Sequence, residues 1–141
     1  MNIFDARLTP VINLPYHQFI GINGLYSKDG TGGLSITVNS NNANPKGMLH
    51  GGVIYSLCDV SAYAALLGIL PESQDAVTHD IHISVLRPAS MDQIVKFEAK
   101  VLKKGRQLAF MESIARIDQR IIAAAKVTKS VVYLEPLDNV S

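Results

Sequence analysis

Residues 53–70 form an almost unbroken apolar run, VIYSLCDVSAYAALLGIL, interrupted by Ser56, Asp59 and Ser61 and ended by Pro71. Its length is borderline for a membrane span. An ionised Asp near the middle of an isolated span would be costly, so the pattern predicts a buried core helix, apolar on nearly every side. Elsewhere the apolar positions recur with a period closer to two. Residues 19–27 and 34–38 predict strands around a turn at 28–33, where Asp-Gly and Gly-Gly tolerate positive φ. A short N-terminal stretch closed by Pro15 precedes them, and an Asn-rich loop at 39–44 leads to the helix. Beyond Pro71, residues 76–86, 93–103, 107–117 and 121–134 carry the β-branched content and partial alternation of strands. Lys104-Gly105-Arg106 and Asp118-Gln119-Arg120 read as tight turns between them. Two strands, a helix and four strands predict an α+β fold. A helix that is apolar all round needs more cover than one face of a flat sheet, so the sheet must curl strongly or a second protomer must pack on it.

Composition narrows the picture without changing it. A chain of 141 residues, 48% hydrophobic, can bury one core. A single domain over 1–141 is expected, with 1–15 as an N-terminal extension and 135–141 as a tail. Thirteen Lys+Arg against twelve Asp+Glu give a formal charge of +1 with no basic tract, which argues against nucleic acid or an anionic membrane as partner. Cys58 is the single cysteine and has no intrachain disulfide partner. The opening MNIFDARLTP places Asp5 and Pro10 where a secretory signal would be apolar, and a cytoplasmic location is expected.

Candidate chemistry is concentrated in Asn44-Pro45-Lys46-Gly47-Met48-Leu49-His50-Gly51-Gly52, which runs straight into the apolar helix. Glycines at a helix start leave the first N–H groups open, and those donors, with the helix dipole, suit an oxygen that gains negative charge. A thioester carbonyl under attack develops such an oxyanion. Asn44 could add a side-chain amide. The group that would activate water is Asp59, whose carboxylate is costly among apolar neighbours unless it is hydrogen-bonded. Gly51 and Asp59 are about 12 Å apart along a helix axis, too far to share one carbon. If both act, Gly51 of one protomer must meet Asp59 of another across a two-fold interface.

The pattern N-x-x-G-x-x-H-G-G followed by L-C-D within the helix resembles the PaaI-like hot-dog thioesterases. Residues 76–89, AVTHDIHISVLRPA, are similar to that family's strand ending in a Pro-Ala turn, and Lys103-Lys104-Gly105-Arg106 is similar to its Gly-Arg turn. The resemblance covers about 14–134. It implies a hot-dog fold: a curved antiparallel sheet of about five to six strands around one long apolar helix. It further implies an acyl-CoA thioesterase that uses no metal and no cofactor beyond the coenzyme A carried by its substrate. Homodimers, paired further into dimers of dimers, would place the active site at a subunit interface. Gly51 and Asn44 would polarise the carbonyl, and Asp59 of the neighbouring subunit would act as nucleophile or general base. Thr78 would help to place the water, and His50 would orient Asn44 or assist thiolate departure. Gly52 and Tyr63 are expected substrate contacts, Tyr63 either lining the acyl pocket or packing in the core. Arg87, Lys104 and Arg106 are expected to meet the phosphates of coenzyme A.

Each of these residues has a plainer role to set beside the chemical one. Asp59 could be a structural carboxylate, Asn44 and Gly47 ordinary loop residues, and His50 a helix-end residue bonded to the loop. Cys58 points about 100° away from Asp59 around the helix and reads as core. His79, Asp80 and His82 suggest a metal, but on a regular strand His79 and His82 face opposite sides. Two other activities fit the same fold: hydration or dehydration of acyl thioesters, and non-catalytic acyl-CoA sensing.

Overall fold

The apolar run folds as α3 (Gly51–Leu67), beginning at the double glycine and ending before Pro71. Residues 6–134 are described in this computed structural model, so the tail expected at 135–141 lies outside the described residues. Among the described residues, six strands follow the expected order: β1 (Asn23–Lys28) and β2 (Thr31–Thr37) precede α3. β3 (Gln74–Val85), β4 (Ile94–Lys104), β5 (Leu108–Ile117) and β6 (Arg120–Tyr133) follow it. They form one antiparallel sheet in the order β1-β2-β4-β5-β6-β3, wrapped around α3. No helix among the described residues is long and apolar enough to cross a membrane.

Cover on α3 comes from alternate residues of the strands. Val95, Phe97 and Ala99 of β4 and Ala109, Met111 and Ala115 of β5 are buried against Leu57, Ala62, Leu66 and their neighbours. Gly32 and Gly33 were expected in the turn; they lie inside β2. At Gly32 a Cβ would collide with the backbone of Ala64 and Ala65, so this glycine lets strand and helix approach closely. The turn itself is Asp29-Gly30, with φ of 50° and 87°, the primed geometry that matches strand twist. A polar position of α3 is satisfied inside the core: Ser61 donates to the Cys58 carbonyl at 3.0 Å and shares a 2.7 Å hydrogen bond with Ser113 of β5.

The N-terminal region departs from the expectation. Pro15 opens a helix instead of closing a stretch: a 3-10 turn (Ala6–Leu8), α1 (Thr9–Ile12) and α2 (Pro15–Ile20) precede β1. Phe19, expected in a strand, belongs to α2. Proline suits a first helical turn because its missing N–H would have been unpaired there, and Gly21 at φ 85° ends the helix. Arg7 ties the segment to the far end of α3 by donating to the Leu67 carbonyl at 2.8 Å, and Leu8 and Ile20 are buried.

β3 is the other surprise. It is a sheet edge, paired among the described residues only with β6, and bulged between Thr78 and Asp80. The bulge reverses the alternation at His79: Ala76 and Thr78 face α3 before it, Ile81 and Ile83 after it. A regular strand would have turned Asp80 and His82 inward, so burying the isoleucines explains the extra residue. It also removes the regular-strand premise used for His79 and His82.

Candidate active site

Two separate clusters hold the expected site residues. The first is the head of α3. His50 caps the helix with φ −63° and ψ 132°, its Nδ1 accepting the Gly52 N–H at 2.8 Å. That bond puts the ring proton on Nε2, and it occupies the Gly52 amide expected to be open. A Cβ at Gly52 would meet the His50 ring at 3.0 Å, whereas one at Gly51 would meet nothing within 4 Å. The Gly51 N–H has no acceptor among the described residues and is the open donor of the pair. Asn44 braces the preceding loop, its Oδ1 accepting the N–H groups of Lys46 at 2.9 Å and Met48 at 3.1 Å. Its Nδ2 donates to no described residue. A cavity of about 420 Å³ opens here, bordered by Asn44, Gly51, Tyr55, Val85, Leu86 and Arg87.

The second cluster lies two turns further along α3. Asp59 is not surrounded by apolar groups alone: Lys129 of β6 donates to Oδ1 at 2.8 Å, and Thr78 donates to Oδ1 at 2.9 Å and Oδ2 at 3.0 Å. Lys129 also donates to the Thr78 hydroxyl at 3.0 Å and sits 5.4 Å from the centre of the Tyr63 ring. Tyr63 in turn donates to Asp75 at 2.7 Å. Lys129 is buried, with 3% of its side chain exposed against 33% for Asp59. A cavity of about 530 Å³ stands in front of Asp59, walled by Val11, Leu14 and Tyr16 of the N-terminal segment, Val60 and Tyr63 of α3, and Val77 of β3. Tyr63 therefore both lines this cavity and supports the polar cluster.

Sequence reading missed Lys129 and the N-terminal wall. A signal for Lys129 was present: alternate β6 residues Ala123, Ala125, Val127 and Val131 are apolar, and Lys129 alone interrupts that series. The remaining candidates are spread out. Arg87 borders the Gly51 cavity, while Lys104 and Arg106 lie in and beside the β4–β5 turn at the opposite end of the sheet, where the Arg106 carbonyl accepts from Tyr133 at 2.8 Å. Cys58 is buried, and that burial pushes its thiol up to about 12. No group of three or more His, Cys, Asp or Glu that could hold a metal occurs among the described residues.

Human acyl-coenzyme A thioesterase 13 is 31% identical over 94 residues, 65% of this chain and 66% of that protein. A Caenorhabditis elegans protein with a provisional esterase name is 31% identical over 77 residues, covering 55% of this chain and 45% of its own length. The chain thus spans less than half of the second relative and just under two thirds of the first. Among solved structures, the Haemophilus influenzae thioesterase HI1161 superposes with a TM-score of 0.85 at 22% identity, covering 96% of each chain. A hypothetical thioesterase of Streptococcus pneumoniae, solved with coenzyme A, gives 0.71 at 22% identity, covering 82% of this chain and 87% of that one. These structural likenesses establish the hot-dog fold. The Thioesterase superfamily model matches residues 46–124, more than half of the 141, a stretch that holds both clusters apart from Asn44 and Lys129, and the chain belongs to that superfamily.

Proposed function

We propose that the protein is an acyl-CoA thioesterase, hydrolysing a thioester to free acid and CoA in a site shared by two copies of the chain. The observation that carries this reading is the division of labour along α3. The open Gly51 amide and the clamped Asp59 carboxylate, each half of a hydrolytic site, border different cavities of one protomer. Neither half can hydrolyse a thioester alone.

The free edge of β3 offers the way to join them. It is 12 residues long, carries exposed Val77 and Val85, and has one ladder partner among the described residues. Such an edge is a template for another strand. A second β3 added antiparallel about a two-fold near His82, skipping the bulged His79, sets Thr78 opposite the partner subunit's Val85. Since Val85 borders the Gly51 cavity and Thr78 holds Asp59, this register brings the two cavities together.

The chemistry then follows. Asp59 takes a proton from water as the water attacks the thioester carbon, and the charge on the carbonyl oxygen collects at the partner subunit's Gly51 amide with Asn44 beside it. Collapse expels the CoA thiolate, which takes up a proton. The apolar cavity in front of Asp59 would take the acyl group, and Arg87 would meet the CoA phosphates. The coenzyme A bound in the Streptococcus pneumoniae structure supports the choice of thiol.

The test is thiol release from short-chain, aryl and long-chain acyl-CoA, run beside hydration of crotonyl-CoA. Hydration without thiol release would overturn the reading. The shared site is tested by co-expressing Asp59→Asn with Gly51→Pro. Each is expected to be inactive alone, and random dimers should regain about a quarter of wild-type activity, because half are mixed and each mixed dimer has one intact site. A mixture as inactive as its parents would place both halves within one protomer.

A further inference from the structure

We infer that Lys129 is a positioning residue of the active site, a buried ammonium that fixes one oxygen of Asp59 and leaves the more weakly held one to work. The inference rests on the thioesterase reading above. Every other residue that β6 turns toward α3 between Ala123 and Val131 is apolar. Methionine would continue that face without desolvating a charge, so an ammonium there is costly unless its contacts repay it. Its contacts are complete: Asp59 Oδ1 at 2.8 Å, the Thr78 hydroxyl at 3.0 Å and the face of the Tyr63 ring.

The arrangement is directional. Lys129 approaches from the sheet, almost wholly buried, while Asp59 keeps about a third of its side chain exposed at the cavity. The single Thr78 hydroxyl proton is shared between Oδ1 at 2.9 Å and Oδ2 at 3.0 Å, whereas the Lys129 ammonium is hydrogen-bonded to Oδ1, so among the described residues Oδ2 has only its share of the Thr78 proton. Oδ2 is the oxygen left to take a proton from water. A carboxylate beside an apolar cavity also needs a compensating charge, and Lys129 supplies it from the sheet side, at the cavity wall but with only 3% of its side chain exposed. The bulge in β3 belongs to the same device, since it lets Thr78 face α3 without turning Asp80 and His82 inward as well. Lys129 touches neither water nor thioester in this scheme and acts through Asp59.

The test compares Lys129→Met, Lys129→Arg and Lys129→Ala with wild type on the best acyl-CoA substrate. Lys129→Met should lose up to about 10²-fold in kcat with KM little changed, the signature of a misplaced reacting group. Lys129→Arg should recover part of the loss, and millimolar methylammonium or ethylammonium should raise the activity of Lys129→Ala but not of wild type. A Lys129→Met enzyme with wild-type kcat overturns the inference. So does equal loss in the Met and Arg variants with no response of Lys129→Ala to alkylammonium, which would mark a purely structural pair. If the wild-type protein releases no thiol from any acyl-CoA, the proposed function falls instead. The clamp is then read directly by NMR: a slowly exchanging Lys129 ammonium in wild type should be lost in Asp59→Asn, and an unchanged signal overturns it.

Discussion

The head of α3 and its middle make an instructive pair, because the same helix carries two kinds of site. At the head, the candidate groups are backbone and near neighbours: His50 caps Gly52, Asn44 braces Met48, and the Gly51 amide meets no acceptor among the described residues. Everything there lies within about ten residues of sequence. In the middle, Asp59 meets Thr78 from 19 residues away and Lys129 from 70 residues away. The head is a local motif exposed to its surroundings. The middle is a tertiary construction, closed behind by the sheet and open in front to an apolar cavity. A backbone donor needs only a helix start, whereas a carboxylate at the edge of a core needs partners collected from other elements.

That contrast can be broken by substitutions that silence one region and spare the other. Asp59→Asn should have the largest effect, lowering kcat by about 10²–10⁴-fold while binding of a non-hydrolysable acyl-CoA analogue stays within a few-fold, because the amide keeps the shape and loses the base. Turnover equal to wild type would remove Asp59 from the mechanism. Gly51→Pro comes next. Proline at a first helical position is tolerated, His50 already has the extended conformation that proline demands of its predecessor, and a Cβ at Gly51 meets nothing within 4 Å. The substitution is therefore expected to delete the N–H while leaving the helix start in place. An approximately 10²–10³-fold fall in kcat with an unchanged melting temperature is expected. A collapse of stability instead would show that the head is structural. The smallest effect is expected from His50→Ala, which removes the cap at a cost of about 1 kcal/mol. Calorimetry should show a melting temperature lower by roughly 4 °C.

Legibility followed the same divide. The α3 run, the Asp29-Gly30 hairpin and the four later strands could be read because each depends on local periodicity or turn chemistry. Strand ends shifted by up to four residues, Gly32 and Gly33 moved from turn to strand, and the helix begun by Pro15 was misread. In the last case Phe19 and Ile20 carry apolar bulk that suits either a strand or a short helix packed on a core. The bulge at His79 had a trace in the sequence, where inward residues change parity between Thr78 and Ile81. Reading it required knowing which face of β3 is covered. Lys129 was harder, since a lysine in a strand is ordinarily solvated, and its importance depends on which residue of α3 lies beneath it.

The sequence by itself determined that a long apolar helix would be wrapped by strands, and that a glycine-rich helix start and one acidic residue would stand about two turns apart. Both follow from spacing along one element, which backbone geometry converts directly into distance. Only the tertiary structure decided that Asp59 would be paired with Lys129 and Thr78, that the N-terminal helices would wall its cavity, and that β3 would be left as a free edge. Those outcomes depend on strand order, on a register shifted by one bulged residue and on which sheet face is buried, and none of these is a property of any short stretch of chain.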